Sequence, residues 1–180
     1  AKIFNNMDWK PDLILSTDML DLTTFLALTR AKSNGVPTAI YFHENQISYP
    51  WSPRDRDILN KRDNHYGFIN YASALSADKV FFNSNFHMKI FLNDLKHFLK
   101  NFPDNNEINT IEKIKYKSNM LPLGLDFSNF KTISIQKTDT PTILWNHRWE
   151  YDKNPELFFD VMKKIKDKNI DFNLIVIGES

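Results

Sequence analysis

The 180-residue chain contains no cysteine. That absence removes disulfides, thiolate nucleophiles and cysteine-ligated zinc, and it suits a reducing compartment, here expected to be the cytoplasm. No apolar run approaches the roughly 20 residues needed to cross a bilayer, so no membrane span is expected. A secretory leader is not expected either, because Ala1-Lys2-Ile3-Phe4 runs straight into polar Asn5-Asn6. Charge of one sign is not in excess: 23 basic residues face 22 acidic ones. No global field therefore recruits nucleic acid or an anionic membrane, which leaves only a local basic patch open. A starting methionine is also missing, and the sequence stops at Gly178-Glu179-Ser180, just after the strand-like Leu174-Ile175-Val176-Ile177. Such a strand normally leads into a loop and a covering helix. The expectation is a fragment.

What is present is a core. Apolar residues make up 42% of the sequence and aromatic ones 14%, enough for one domain or one domain and part of another. Leu13-Ile14-Leu15 reads as a short buried strand, followed by a helix capped by Thr17 or Asp18 and ending near Asn34-Gly35. Pro37 opens a strand from Thr38 to Phe42, and its unbroken apolar character suits burial on both faces. A polar and aromatic loop from His43 to about Arg62 leads to a helix from about Asn64 to Ser76 and a strand from Lys79 to Phe82. Ser84 or Asn85 can cap the next helix, and residues 101–109 read as a surface loop. A strand from Asn119 to Leu123 then ends at Gly124.

Lys131 to Thr140 has the composition of a linker. After it the rhythm restarts with a strand from Thr142 to Trp145, a helix opened by Asn154-Pro155 and a strand from Phe172 to Ile177. Strands alternating with helices on both sides of a linker imply two parallel, doubly wound, Rossmann-like α/β sheets. The expected division is a first domain over 1–130, a linker over 131–140 and the start of a second domain over 141–180.

In such folds ligands sit at the carboxyl ends of strands, where three segments are chemically dense. Tyr41-Phe42-His43-Glu44-Asn45-Gln46 places four hydrogen-bonding side chains after a buried strand, where an ordinary turn would favour Gly, Pro or Asp. His43 and Glu44 can position or polarise sugar hydroxyls, and Asn45 and Gln46 can both donate and accept. A purely structural His43 is the alternative. A zinc motif of the H-E-x-x-H type fails because position 47 is Ile, so no metal site is expected. Gly124, after Leu121-Pro122-Leu123, reads as a positive-φ turn or a point where a ligand approaches the backbone. In Trp145-Asn146-His147-Arg148-Trp149-Glu150-Tyr151-Asp152-Lys153, an arginine and a lysine five residues apart lie between a strand and a helix N-terminus. A helix N-terminus attracts phosphate, Arg148 can grip it in bidentate fashion, and Lys153 supplies a point charge. Two surface cations beside Glu150 and Asp152 are the plainer alternative.

Taken in order, these segments resemble the GT-B glycosyltransferases of family four. Phe42-His43 matches the histidine after a central strand, and Ala77-Asp78 to Ser84 matches an alanine-aspartate pair before a strand ending in serine. Pro122-Leu123-Gly124-Leu125-Asp126 matches the turn near the domain crossing, and Arg148 with Lys153 matches the cation pair of the second domain. YFHENQISYP (41–50), FNSNFHMKIFL (82–92) and WNHRWEYDKNPELF (145–158) are similar to signature blocks of the tRNA-queuosine mannosyltransferase family.

The resemblance implies a retaining transfer of mannose from GDP-mannose onto queuosine in tRNA, with no essential metal and with the active site in a cleft between two domains. It implies that Arg148 and Lys153 bind the donor diphosphate, that His43 orients the donor sugar or stabilises its oxocarbenium-like state, and that Glu44 faces the acceptor or supports from behind. Asn45, Gln46, Gly124, Asn146 and His147 would bind substrate or shape the loops. The family's glycine-containing phosphate loop would lie before Ala1, and its glutamate-bearing segment after Ser180. Asn146-His147 stands where family-four enzymes usually carry glycine, which implies a differently shaped phosphate loop. The alternatives are a non-catalytic nucleotide-sugar or RNA-binding module, with Lys96, Lys100, Lys113, Lys115 and Lys117 as a basic patch, or a related transferase with another acceptor.

Overall fold

The structure is a computed structural model that describes residues 1–49, 65–130 and 139–178. Among these residues the chain forms two compact units, one of residues 1–49 and 65–125 and one of residues 126–130 and 139–178. The linker expected over 131–140 lies outside the described residues except for Asp139 and Thr140. The loop expected from His43 to about Arg62 is described only as far as Tyr49.

The first unit runs α1 (Lys2–Asn5), β1 (Ile14–Thr17), α2 (Leu22–Leu28), α3 (Arg30–Ser33), β2 (Thr38–Phe42), α4 (His65–Ser76), β3 (Lys79–Phe82), α5 (Asn85–Lys100), α6 (Thr110–Lys117) and β4 (Ser118–Met120). Its four strands form one parallel sheet in the order β1-β2-β3-β4. All five residues of β2 are buried, as the apolar run predicts for a strand covered on both faces. Phe42, Phe82 and Phe91 meet with ring centroids 5.1–5.2 Å apart, and Leu22, Ile40, Val80, Leu95, Leu99 and Ile114 complete a core closed to solvent.

Polar groups pin the entry to this sheet. Thr38 donates its backbone N–H and its hydroxyl to Asp78 Oδ2 at 2.7 and 2.9 Å, and the Asp78 N–H returns to Thr38 Oγ1 at 3.0 Å. The alanine-aspartate pair thus joins the starts of β2 and β3, with Ala77 buried behind it.

Four expectations need correction. Strand β1 buries Ile14 and Ser16 but exposes Leu15, so it is covered on one face only. Asp21, not Thr17 or Asp18, caps α2 by accepting from the Thr24 N–H, and the expected single helix breaks at Thr29. Strand β4 stops at Met120 because Pro122 has no N–H to continue the ladder; the last bond runs from the Leu121 N–H to the Phe82 carbonyl. Helix α6 was not expected at all.

In the second unit, β5 (Thr142–Asn146), a 3₁₀ turn (Tyr151–Lys153), α7 (Pro155–Asp167) and β6 (Asn173–Ile177) make one βαβ step. The two strands pair in parallel from Thr142↔Asn173 to Asn146↔Ile177. Trp145 is buried against Phe158 and Phe159, whereas every residue of β6 is exposed. Among the described residues no helix is long and apolar enough to cross a membrane.

Candidate active site

The carboxyl ends of β1, β2 and β3 gather polar side chains whose hydrogen-bond directions can be worked out one from the next. Asn45 Oδ1 accepts from the backbone N–H groups of Ile47 and Ser48 at 3.0 and 2.9 Å, which orients the amide. Its Nδ2 must then donate to His87 Nε2, 2.8 Å away. A nitrogen that accepts carries no hydrogen, so the proton of neutral His87 sits on Nδ1 and points at Asn83 Oδ1, 3.1 Å away. Asn83 Nδ2 in turn donates to the His43 carbonyl at 2.9 Å. Finally the His43 N–H donates to Asp18 Oδ1 at 3.0 Å. The polarity is consistent from end to end.

His43 therefore sits on a fixed backbone, with Nδ1 3.4 Å from Asp18 Oδ1 and the Tyr41 ring 4.7 Å from its own. Its side chain remains 52% exposed, while that of Asp18 is 4% exposed. Gln46 is anchored by its main chain: its N–H donates to the buried Asn70 Oδ1 at 2.7 Å, and Asn70 Nδ2 donates to the Asp18 carbonyl at 3.0 Å. Glu44 and Gln46 face a cavity of about 300 Å³ shared with Asp18, Asp21 and Tyr66. Burial raises the Asp21 carboxyl, but hydrogen bonds from Thr23 and Thr24 outweigh it and hold the group below the usual carboxylate range. Burial also depresses His87, and the charge of Asp18 opposes this in part.

Of the two roles expected of Gly124, the positive φ is the one the structure corrects. Its φ is not positive, and a side chain there would meet open space. The segment is instead held upstream, where the Tyr41 hydroxyl donates to the Leu121 carbonyl at 2.9 Å.

In the second unit, Asn146 ends β5 and His147 packs its ring edgewise on Trp145 at 5.3 Å. Arg148 is 71% exposed and pairs through Nη1 with Glu150 at 3.1 Å; Lys153 pairs with Asp152 at 2.6 Å. Both expected cations lie on one βα loop, and each already has a carboxylate. The helix terminus beside them offers less than expected: Pro155 has no N–H, and Asn154 Oδ1 caps the Leu157 N–H, which leaves the Glu156 amide. Gly178 has the steric role that Gly124 lacks, because a Cβ on it would collide with the His147 carbonyl. Only glycine lets the end of β6 run beside the Asn146-His147 turn.

Sequence reasoning missed Asp18 as the support of His43, and it missed Asn83, His87 and Asn70 as the frame. Their signal was partial: Asp18 directly follows a strand, and Asn83 and His87 fall within the second signature block.

Parallel strand-helix alternation with polar groups collected at the strand carboxyl ends defines a Rossmann-like α/β domain. Residues 1–125 match the family described as tRNA-queuosine alpha-mannosyltransferase N-terminal, and the chain belongs to that family. The Drosophila melanogaster protein tRNA-queuosine alpha-mannosyltransferase is 33% identical over 177 residues, covering 93% of this chain and 45% of that relative. The chain thus spans about half the length of the curated relative it matches.

Proposed function

We propose that this protein is a retaining glycosyltransferase of GT-B architecture that transfers mannose from GDP-mannose onto queuosine in tRNA, in the cytoplasm and without an essential metal. The observation that carries the reading is the match over residues 1–125, because it contains the whole of the His43-to-Gln46 turn and its frame. In this reading a queuosine hydroxyl attacks the anomeric carbon from the face the diphosphate leaves. The bond from that carbon to the diphosphate oxygen breaks, a bond to the acceptor oxygen forms, and the hydroxyl proton passes to a leaving-group oxygen. Arg148 and Lys153 exchange their carboxylate partners for the diphosphate and stabilise its growing charge. His43 orients the donor sugar, Glu44 faces the acceptor, and Asn45 holds the turn. Gln46, Asn146 and His147 bind substrate or shape the loops around it, and Gly124 leaves a ligand room to approach the backbone.

The test uses the full-length protein with queuosine-containing tRNA and a panel of nucleotide sugars, followed by mass spectrometry of the digested nucleosides. Hexose added to queuosine only with GDP-mannose is the expected result. Release of GDP or UDP without an adduct keeps the transferase and removes tRNA; neither product nor release leaves a binding module. Arg148→Ala should lower turnover by about 10²-fold or more, the scale of losing one transition-state donor, while exposed Lys168→Ala stays near wild type. Equal, mild losses in the two variants overturn the role of Arg148.

A further inference from the structure

We propose that Asp18 is a positioning residue that fixes which ring nitrogen of His43 meets the substrate, holding the hydrogen on Nδ1 and presenting Nε2 as an acceptor. The inference rests on the reading of His43 as the group that orients the donor sugar. An ionised carboxylate can only accept. Asp18 Oδ1 already takes the His43 N–H at 3.0 Å and lies 3.4 Å from Nδ1, so the nitrogen that faces it must carry a hydrogen. An imidazole free in water favours the opposite tautomer, with hydrogen on Nε2. The site therefore imposes a choice.

The imposition is built rather than incidental. The Asp18 side chain is 4% exposed, and its main-chain carbonyl is fixed by Asn70 Nδ2 at 3.0 Å. The same buried Asn70 holds the Gln46 N–H, so one residue registers both the Asp18 main chain and the turn that carries His43. The Tyr41 ring flanks the imidazole at 4.7 Å, and the Asn83 bond to the His43 carbonyl limits the main chain. Nε2 has no hydrogen-bond partner among the described residues, and the His43 side chain as a whole is 52% exposed. A sugar hydroxyl that donates to this nitrogen keeps its own oxygen free for other contacts. A fluorine in its place could not donate at all.

The experiment is nitrogen NMR of the full-length protein labelled in its histidine rings, at a pH where His43 is neutral. His43 is assigned by the signals lost in His43→Gln. The expected wild-type spectrum has hydrogen mainly on Nδ1. Asp18→Asn keeps an oxygen for the His43 N–H but drops the charge; it should move the population toward Nε2–H. Turnover should fall about tenfold or more, as when the orienting carboxylate of a histidine is neutralised, with the KM for tRNA within about twofold. Wild-type His43 with hydrogen mainly on Nε2 overturns the proposal, even if the variant fails to fold. Unchanged populations in a folded Asp18→Asn overturn it as well and reduce Asp18 to a main-chain brace. The expected tautomers in a protein whose His43→Gln form transfers sugar normally would support the proposal and remove the sugar-orienting reading.

Discussion

Asn45 is buried, yet the fold uses both ends of its amide, the oxygen for two main-chain N–H groups and the nitrogen for His87. Truncation to alanine strands those three polar groups and takes away the partner of the Ser48 hydroxyl as well. Asn45→Ala should therefore destabilise the protein by about 1–3 kcal/mol, read as a lower urea midpoint at unchanged slope. His43→Gln, at a half-exposed ring, should leave the unfolding free energy within about 0.5 kcal/mol of wild type. His87 gives the same frame a pH dependence. Burial holds its imidazole below the ordinary value of about 6.5, with Asp18 opposing in part. Between the two values the unfolded chain binds more proton than the folded one, so stability rises with pH across that window. The contribution is complete above about pH 6.5 and is lost as pH falls toward the depressed value. A proton on Nε2 would also face the Asn45 amide donor. Melting temperature should thus fall more between pH 7.5 and pH 5 in wild type than in His87→Gln, and parallel curves would exclude His87 as the cause. Four polar residues after a buried strand were legible in the sequence as a candidate site. The partners of His43 were not, because Asp18 and Asn83 reach it only through the parallel register of three strands.

At the level of elements, the C-terminus of α4 is closed by a side chain from a helix 40 residues on. The Lys117 ammonium donates to the Leu75 carbonyl at 2.6 Å and to the Ala77 carbonyl, groups that the end of α4 leaves open. Burial lowers its pKa, with the Asp78 charge acting the other way. This removes Lys117 from the basic patch that composition suggested. Lys117→Ala should cost about 1–3 kcal/mol in a chemical denaturation curve, since buried carbonyls lose their donor. Lys115→Ala breaks only the exposed pair with Glu112 and should stay within about 0.5 kcal/mol. Equal losses would mean that Lys117 acts as general surface charge, not as a cap. Most elements were readable where one signal dominated, such as the apolar run of β2, Ser84 before α5 or Asn154-Pro155 before α7. The end of β4 was misread because the apolar pattern of residues 119–123 outlasts the hydrogen-bond ladder, which Pro122 cuts.

Across the whole molecule, burial is distributed unevenly, and stability should follow it. Strand β2 is covered on both faces and paired on both edges, so its amides open only when the sheet does. Strand β6 pairs with β5 alone among the described residues, and Leu174, Ile175, Val176 and Ile177 are all exposed. Among the described residues, β5 and α7 of the second unit pack through an aromatic cluster, Trp145 with Trp149, Phe158 and Phe159, in which Trp145 Nε1 is buried with no hydrogen-bond partner. Native-state hydrogen exchange by mass spectrometry, run on the 180-residue chain itself, reads this directly. Peptides over Thr38–Phe42 should exchange with a strong dependence on low denaturant, the mark of global unfolding. Peptides over Asn173–Ile177 should exchange faster and almost independently of denaturant, because a local opening exposes little new surface. Phe42→Ala, which removes a ring from the closed core, should destabilise the first unit by about 3–5 kcal/mol and raise exchange in β2 by the matching factor. If β6 responds to that substitution as strongly as β2 does, the two units unfold as one, and the aromatic cluster around Trp145 is not a separate source of stability.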